Sequence, residues 1–145
     1  MRLTVSEKVH IPLFVAFESN DDTSNYVSGY SEKRHKKEMN CNTVQYLSVF
    51  VGDVLCGFII LAYESDTLSV EFRRIVISSK GKGFGQRAIY LMEDFCKSHY
   101  DMKRIWLDVY EDNLRAQHVY IKCGYLQFGV EEYKGRKLLL FEKWL

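Results

Sequence analysis

The chain has 145 residues, a net charge of +1, 47% hydrophobic residues and 27% charged residues. Those totals describe a single globular domain over residues 1–145 with material for one substantial core. Because cationic and acidic residues nearly cancel, nothing in bulk electrostatics favours nucleic acid or an anionic membrane, and no apolar stretch approaches the ~20 residues of a bilayer span.

Four cysteines, Cys41, Cys56, Cys96 and Cys123, are widely spaced with no C-x-x-C pair, which argues against a zinc or thioredoxin-type site. No metal is expected. Cys56 and Cys96 stand in apolar runs and read as small hydrophobes. With no signal-like run at the amino terminus, a reducing cytoplasm is the expected setting. One proline and no repeats leave no place for a linker.

In chain order, Leu3 to Val5 reads as a short strand, and Ser6 as the N-cap of a helix over Lys8 to Glu18 with Pro12 near its first turn. Ser19 to Ser24 is a turn by composition. A charged helix starts at Ser31 and runs to Met39, its charges forming a solvated face; the functional alternative is that Tyr26, Tyr30 and His35 line an acceptor pocket. Val44 to Val51 and Val54 to Tyr63 form a hairpin around Gly52-Asp53, and Leu68 to Ile77 runs antiparallel to its predecessor.

Gln86 to Tyr100 carries Ile89, Met92 and Cys96 at helical spacing. The strand Arg104 to Val109 then returns parallel to Leu68 to Ile77 by a right-handed crossover. Asn113 to Cys123 is a shorter helix closed by Gly124, and Tyr125 to Tyr133 with Lys137 to Leu145 makes a final hairpin. The expected architecture is α/β, a mixed sheet of about seven strands flanked by helices on both faces.

The unit around which this is organised is Val70 to Arg87: strand, glycine-rich loop, helix. Glycines let the backbone approach a ligand closely, and the first-turn N–H groups of the helix sit at the positive end of its dipole. Lys80, Lys82 and Arg87 add cationic charge. Two readings follow, a pyrophosphate cradle or a tight turn on a solvated basic face. The P-loop pattern fails at Gln86, and Gly81, Gly83 and Gly85 space as G-x-G-x-G, which breaks the dinucleotide fingerprint. Asp108, at the end of the next strand, stands where that fingerprint would place a ribose-binding acid.

What remains, Lys80-x-x-Gly83-x-Gly85, resembles the [Arg/Gln]-x-x-Gly-x-[Gly/Ala] loop of the GNAT N-acetyltransferase superfamily, with Lys80 in the first position. A second segment resembles the same family's V-x-x-x-N-x-x-A-x-x-x-Y-x-x-x-G-[FY] pattern, at Val109, Asn113, Ala116, Tyr120, Gly124 and Tyr125. The ribosomal-protein and polyamine acetyltransferase-like branches are the nearest in character.

That resemblance implies a GNAT fold and transfer of acetyl from acetyl-CoA, the co-substrate, to a primary amine in a ternary complex. An acyl-CoA-binding module without turnover is the alternative. It further implies that Ile75, Val76 and Ile77 pair with pantetheine, and that Lys80, Gly81, Lys82, Gly83, Phe84, Gly85 and Gln86 hold the pyrophosphate. Asn113 would bond the pantetheine arm or cap its helix, and Arg115 would be solvated or reach a CoA phosphate. Glu71 would be the general base, placed on one face with Arg73, Ile75 and Ile77 by a regular strand, or else a carboxylate paired with an arginine. Tyr120 would be the general acid, or a core aromatic. Self-association as a homodimer would use the apolar last strand, Leu138 to Leu145 with Phe141 and Trp144.

Overall fold

In a computed structural model that describes residues 1–79 and 81–145, the Asp22 side chain aside, the apolar runs pair into one seven-stranded mixed sheet. Lys80 therefore lies outside the described residues. The strands are β1 (Arg2–Val5), β2 (Val44–Val51), β3 (Val54–Glu64), β4 (Ser69–Ile77), β5 (Arg104–Tyr110), β6 (Leu126–Tyr133) and β7 (Arg136–Trp144), in the spatial order β1-β2-β3-β4-β5-β7-β6. β4 and β5 are parallel, and every other neighbouring pair is antiparallel.

Among the described residues, five α-helices connect them: α1 (Ile11–Glu18), α2 (Asp21–Ser24), α3 (Glu32–Met39), α4 (Phe84–Tyr100) and α5 (Leu114–Lys122). The first predicted helix breaks in two, a 3-10 turn at Lys8–His10 followed by α1 with proline in its first turn. Ser6 is not its cap. Its N–H donates to the Tyr46 carbonyl and its hydroxyl bonds Ser48 Oγ at 2.7 Å, so this residue is tied to β2 instead. Ser31 caps α3 as expected, accepting the Arg34 N–H at 3.1 Å. The predicted turn over Ser19 to Ser24 contains the single-turn α2.

The sheet carries a core on each face. On one, Ile89, Met92 and Cys96 of α4 pack against Leu47, Ile59, Leu61, Val70 and Ile105, with Tyr120 of α5 at the margin. On the other, Ile11 and Phe14 of α1 meet Tyr46, Phe58, Ile60 and Val76, with the Phe14 and Phe58 rings stacked at 4.4 Å. Cys56 and Cys96 are buried as small hydrophobes. The closing hairpin is locked to α4 through Glu93, which accepts from the Tyr125 hydroxyl and the Lys143 ammonium, each at 2.9 Å. Burial raises the Tyr125 hydroxyl well above the phenol range, so it stays a donor to that carboxylate.

β7 is interior, flanked by β5 and β6. Phe141 is core, Trp144 at the end of β7 is exposed, and edge strand β6 leaves Leu126, Phe128, Val130 and Tyr133 outside as well. The last strand is thus not a free edge for pairing with a second copy. No helix among the described residues is long and apolar enough to cross a membrane.

Candidate active site

The register of β4 and β5 makes the site. They pair only at Ser69↔Arg104, Val70↔Ile105 and Glu71↔Trp106, after which β4 continues to Ile77 and β5 to Tyr110 without pairing to each other. Beyond Glu71, the β5-facing edge of β4 therefore has backbone groups with no strand partner. A buried strand edge needs such groups satisfied, and an extended ligand with amides can do so. A cleft of about 1510 Å³ opens through this gap, larger than the ~300–1,000 Å³ of a drug-sized pocket and suited to a long ligand plus a second molecule.

One side of the cleft is the glycine loop. Gly81 and Gly83 take φ +79° and +73°, left-handed values that disfavour other residues, and Gly83 serves as N-cap. α4 starts at Phe84 rather than at the predicted Gln86, because the turn is completed at Gly83, and its first-turn N–H groups, Phe84, Gly85 and Gln86, have no backbone acceptor among the described residues. Gly81, Gly83, Phe84, Gly85 and Gln86 all line the cleft. Lys82 does not; its ammonium stands 6.0 Å from the Phe84 ring. The call on Lys80 lies outside the described residues.

α5 supplies the next wall. Asn113 Oδ1 accepts the Ala116 N–H at 3.3 Å, so Asn113 is the N-cap, and it also lines the cleft. Arg115 is beside the loop: a Cβ added to Gly81 would stand 4.0 Å from Arg115 Nη2. Tyr120, 9% exposed, packs edge-on to Phe72 at 6.1 Å and reaches the cleft. Burial first, and the Asp108 charge second, push its hydroxyl above the ordinary phenol value, so it is a protonated donor at any physiological pH.

β4 departs from the regular strand on which Glu71 was placed. Opposite Ile60 and Leu61 the partners are Arg74 and Phe72, leaving Arg73 as an extra residue in a β-bulge. The bulge reverses the alternation. Phe72, Ile75 and Ile77 join the core under α4, while Glu71 shares the opposite face with Arg74 and Val76. Ile75 and Ile77 line the cleft; the Val76 side chain is buried behind it. Glu71 does not line it, and its carboxylate accepts from Arg73 Nη2 at 3.0 Å.

On that opposite face, Tyr26 and Tyr30 of the expected acceptor set line the cleft, and Arg34 lines it with them. His35 does not: it is wholly buried, donating from Nε2 to Glu18 Oε1 at 2.6 Å, with Nδ1 hydrogen-bonded to the Tyr46 hydroxyl at 2.7 Å. Burial raises the Tyr46 hydroxyl, which stays protonated. Glu18 also accepts from the Tyr30 N–H and the Arg74 guanidinium. Arg34 and Arg74 stack on the Tyr30 ring at 3.7 and 4.0 Å.

Sequence reasoning singled out Asp108 only as where the broken dinucleotide fingerprint would place a ribose-binding acid and did not single out Glu131; both line this half of the cleft. The available signal was the alternation of β5, in which Ile105, Leu107 and Val109 are buried and Trp106, Asp108 and Tyr110 take the other face. Asp108 is open to cleft water yet walled by protein, and this desolvation raises its carboxyl, with the charges of Glu71 and Glu131 adding to the rise.

Comparison with known proteins identifies relatives by sequence and by fold. A spermine/spermidine N(1)-acetyltransferase of Bacillus subtilis (strain 168) is 29% identical over 63 residues, covering 43% of this chain and 41% of the relative's length. A probable spermine N(1)-acetyltransferase of Bacillus subtilis subsp. natto matches to the same extent, so the matched segment spans about two fifths of these curated relatives. Among solved structures, a spermidine N-acetyltransferase from Vibrio cholerae in complex with CoA and spermine superposes with TM-score 0.86 at 22% identity, covering 99% of this chain and 94% of the other. At that identity the likeness concerns the fold. The sequence profile of the acetyltransferase (GNAT) family matches residues 15–125, and the chain belongs to that family.

Proposed function

We propose that this protein transfers acetyl from acetyl-CoA to a primary amine of an alkyl polyamine. The observation that carries the reading is the gap between β4 and β5, with the glycine loop at one end, Tyr120 inside it and unpaired β4 backbone along it. Pantetheine would pair with β4 at Ile75 to Ile77. The pyrophosphate would take the first-turn N–H groups of α4, with Arg115 adjacent. No acyl carrier is needed in the protein, because amine and thioester meet in one cleft.

Charge supports the acceptor class. Arg74 is engaged by Glu18, Arg73 by Glu71 and Arg136 by Asp112, whereas Asp108, Glu131 and Glu132 have no ion pair among the described residues. Arg34, also on the acceptor half, faces Glu38 at 4.0 Å, so the unbalanced charge there is negative, and it meets the tyrosines Tyr26, Tyr30 and Tyr133. Carboxylates beside aromatic faces suit a chain of ammonium groups separated by methylenes. The names of the curated relatives agree with this class. All four cysteines are free, in keeping with a reducing cytoplasm, and self-association would draw on the apolar edge of β6.

Thermal unfolding with acetyl-CoA, CoA, NAD and ATP in parallel tests the cofactor. At ~100 times the dissociation constant, a CoA species should stabilise by about 2.7 kcal/mol, roughly 5–10 °C here. A shift with NAD or ATP and none with either CoA species refutes the reading. Release of free thiol with spermidine but not with a neutral polyol of similar length tests the acceptor.

Tyr120 gives a second prediction. Collapse of the tetrahedral adduct expels a thiolate whose conjugate acid has pKa ~8.5, so a hydroxyl donor helps without being indispensable. Tyr120→Phe should lower kcat by about tenfold to a hundredfold, at or below the low end for general acids, while the acetyl-CoA thermal shift stays intact. Steady-state thiol release checks it.

A further inference from the structure

Resting on the acetyl-transfer reading, we propose that Asp108, and not Glu71, is the general base that takes the proton from the incoming ammonium.

The placement argument is one of register. Glu71 and Trp106 are the last pair of the parallel ladder, and Asp108 is the next residue of β5 on their face, where the strands have parted. It lines the cleft with Tyr120; Glu71 does not. The two candidate groups also flank the gap from opposite faces of the sheet. Tyr120 belongs to the layer of α4 and the glycine loop, from which a thioester would enter, and Asp108 to the layer of Tyr30 and Arg34, from which an acceptor would. A base on the acceptor side and an acid on the thiol side is what the reaction requires.

Availability separates the two carboxylates as well. Glu71 is held at 3.0 Å by Arg73, which also reaches Glu38 at 3.6 Å, so the Glu71 carboxylate is already engaged by a guanidinium and turned away from the cleft. Asp108 has no hydrogen bond or ion pair among the described residues. The charged and titratable groups facing it are Glu71 of β4, Glu131 of β6 and Tyr120 of α5. Desolvation first, and the two carboxylates after it, raise its affinity for a proton, which moves a carboxyl toward the range useful to a base at neutral pH.

The step balances as follows. Asp108 removes one proton from R–NH3+, and the amine lone pair attacks the thioester carbonyl, forming the C–N bond. The C–S bond then breaks, and the leaving sulfur takes the Tyr120 hydroxyl proton. The nitrogen's second proton returns to the Tyr120 oxygen through water. Asp108 releases its proton to solvent, leaving amide, CoA thiol and one solvent proton.

The test compares Asp108→Asn and Glu71→Gln with the wild-type protein, using acetyl-CoA and spermidine across pH. Asp108→Asn should lose about 10²-fold or more in kcat/KM at neutral pH, with its acetyl-CoA thermal shift unchanged. Its activity should climb with pH as free amine accumulates, narrowing the gap to under about tenfold near the amine pKa of ~10.4. Glu71→Gln should lose less than about tenfold, and, by removing a negative neighbour, should move the acidic limb of the profile to lower pH. The assignment is overturned if Asp108→Asn keeps activity within about threefold of wild type, if its loss is the same at every pH, or if Glu71→Gln costs more. Failure of the underlying reading is distinguishable, since it appears in the wild-type protein as absence of thiol release with every amine, and removes the assignment with it.

Discussion

Glu18→Ala is expected to cost about 3–5 kcal/mol of stability, the range for stranding one member of a buried charged network, and to lower Tm by about 10–20 °C. Glu18 is 1% exposed and accepts from His35, Arg74 and the Tyr30 N–H, joining α1, α3, β4 and the segment between the helices. Its removal leaves the Arg74 guanidinium, 10% exposed, without its counter-charge, and leaves the wholly buried His35 without an acceptor. Against a total stability of about 5–15 kcal/mol, that is a large fraction. The double variant Glu18→Gln with Arg74→Met should sit closer to wild type. Glutamine keeps an acceptor for His35 and Tyr30, and methionine removes the charge that needed pairing. Chemical denaturation of both variants decides it: equal loss in the single and double variants would show that the guanidinium was not the source of the cost. The single variant should also weaken acceptor binding, because Tyr30 and Arg74 form one wall of the cleft.

That network shows where sequence patterns stop. Glu18, His35, Tyr46 and Arg74 meet only through the tertiary fold, and a His in the charged run Glu32–Met39 reads locally as part of a solvated helix. Periodicity does report what one element can decide alone. Ile89, Met92 and Cys96 place the buried face of α4, and the Asn113 to Tyr120 spacing sets a cap and a tyrosine two turns apart on one short helix. The parallel pairing of β4 and β5 was legible too, because a helix intervenes between them.

Irregularity was not legible. The bulge at Arg73 reverses the faces of β4 after Phe72, and so the alternation that was expected to bring Glu71 to Ile75 and Ile77 instead separates them. The placing of β7 between β5 and β6 likewise depends on which strand edge the last hairpin meets. Lone polar residues on a strand, such as Asp108, acquire meaning only when the neighbouring strand departs and leaves them in a gap.

Gly57→Ala is expected to be nearly as damaging as the loss of Glu18, through the backbone rather than through charge. A Cβ at this position would stand 2.3 Å from the Val76 carbonyl oxygen and 2.9 Å from Ile77 Cδ1. The Ile77 methyl could turn aside, but the carbonyl belongs to the β4 backbone and can move only with the strand. Gly57 pairs with Ile77, and next to it the Ser78 N–H and hydroxyl donate to the Cys56 carbonyl at 2.8 and 2.9 Å. Relief of the clash must therefore push the end of β4 away from β3, into the gap where the thioester would lie. The cost should be about 3 kcal/mol or more, at the upper end for overpacking, with Tm lower by about 10 °C. The same displacement should disturb the Ile75 to Ile77 edge, so acetyl-CoA should stabilise the variant less than it does the wild-type protein. An unchanged ligand-induced shift in a destabilised variant would mean that β3 yields rather than β4, and that the cofactor edge does not depend on this contact.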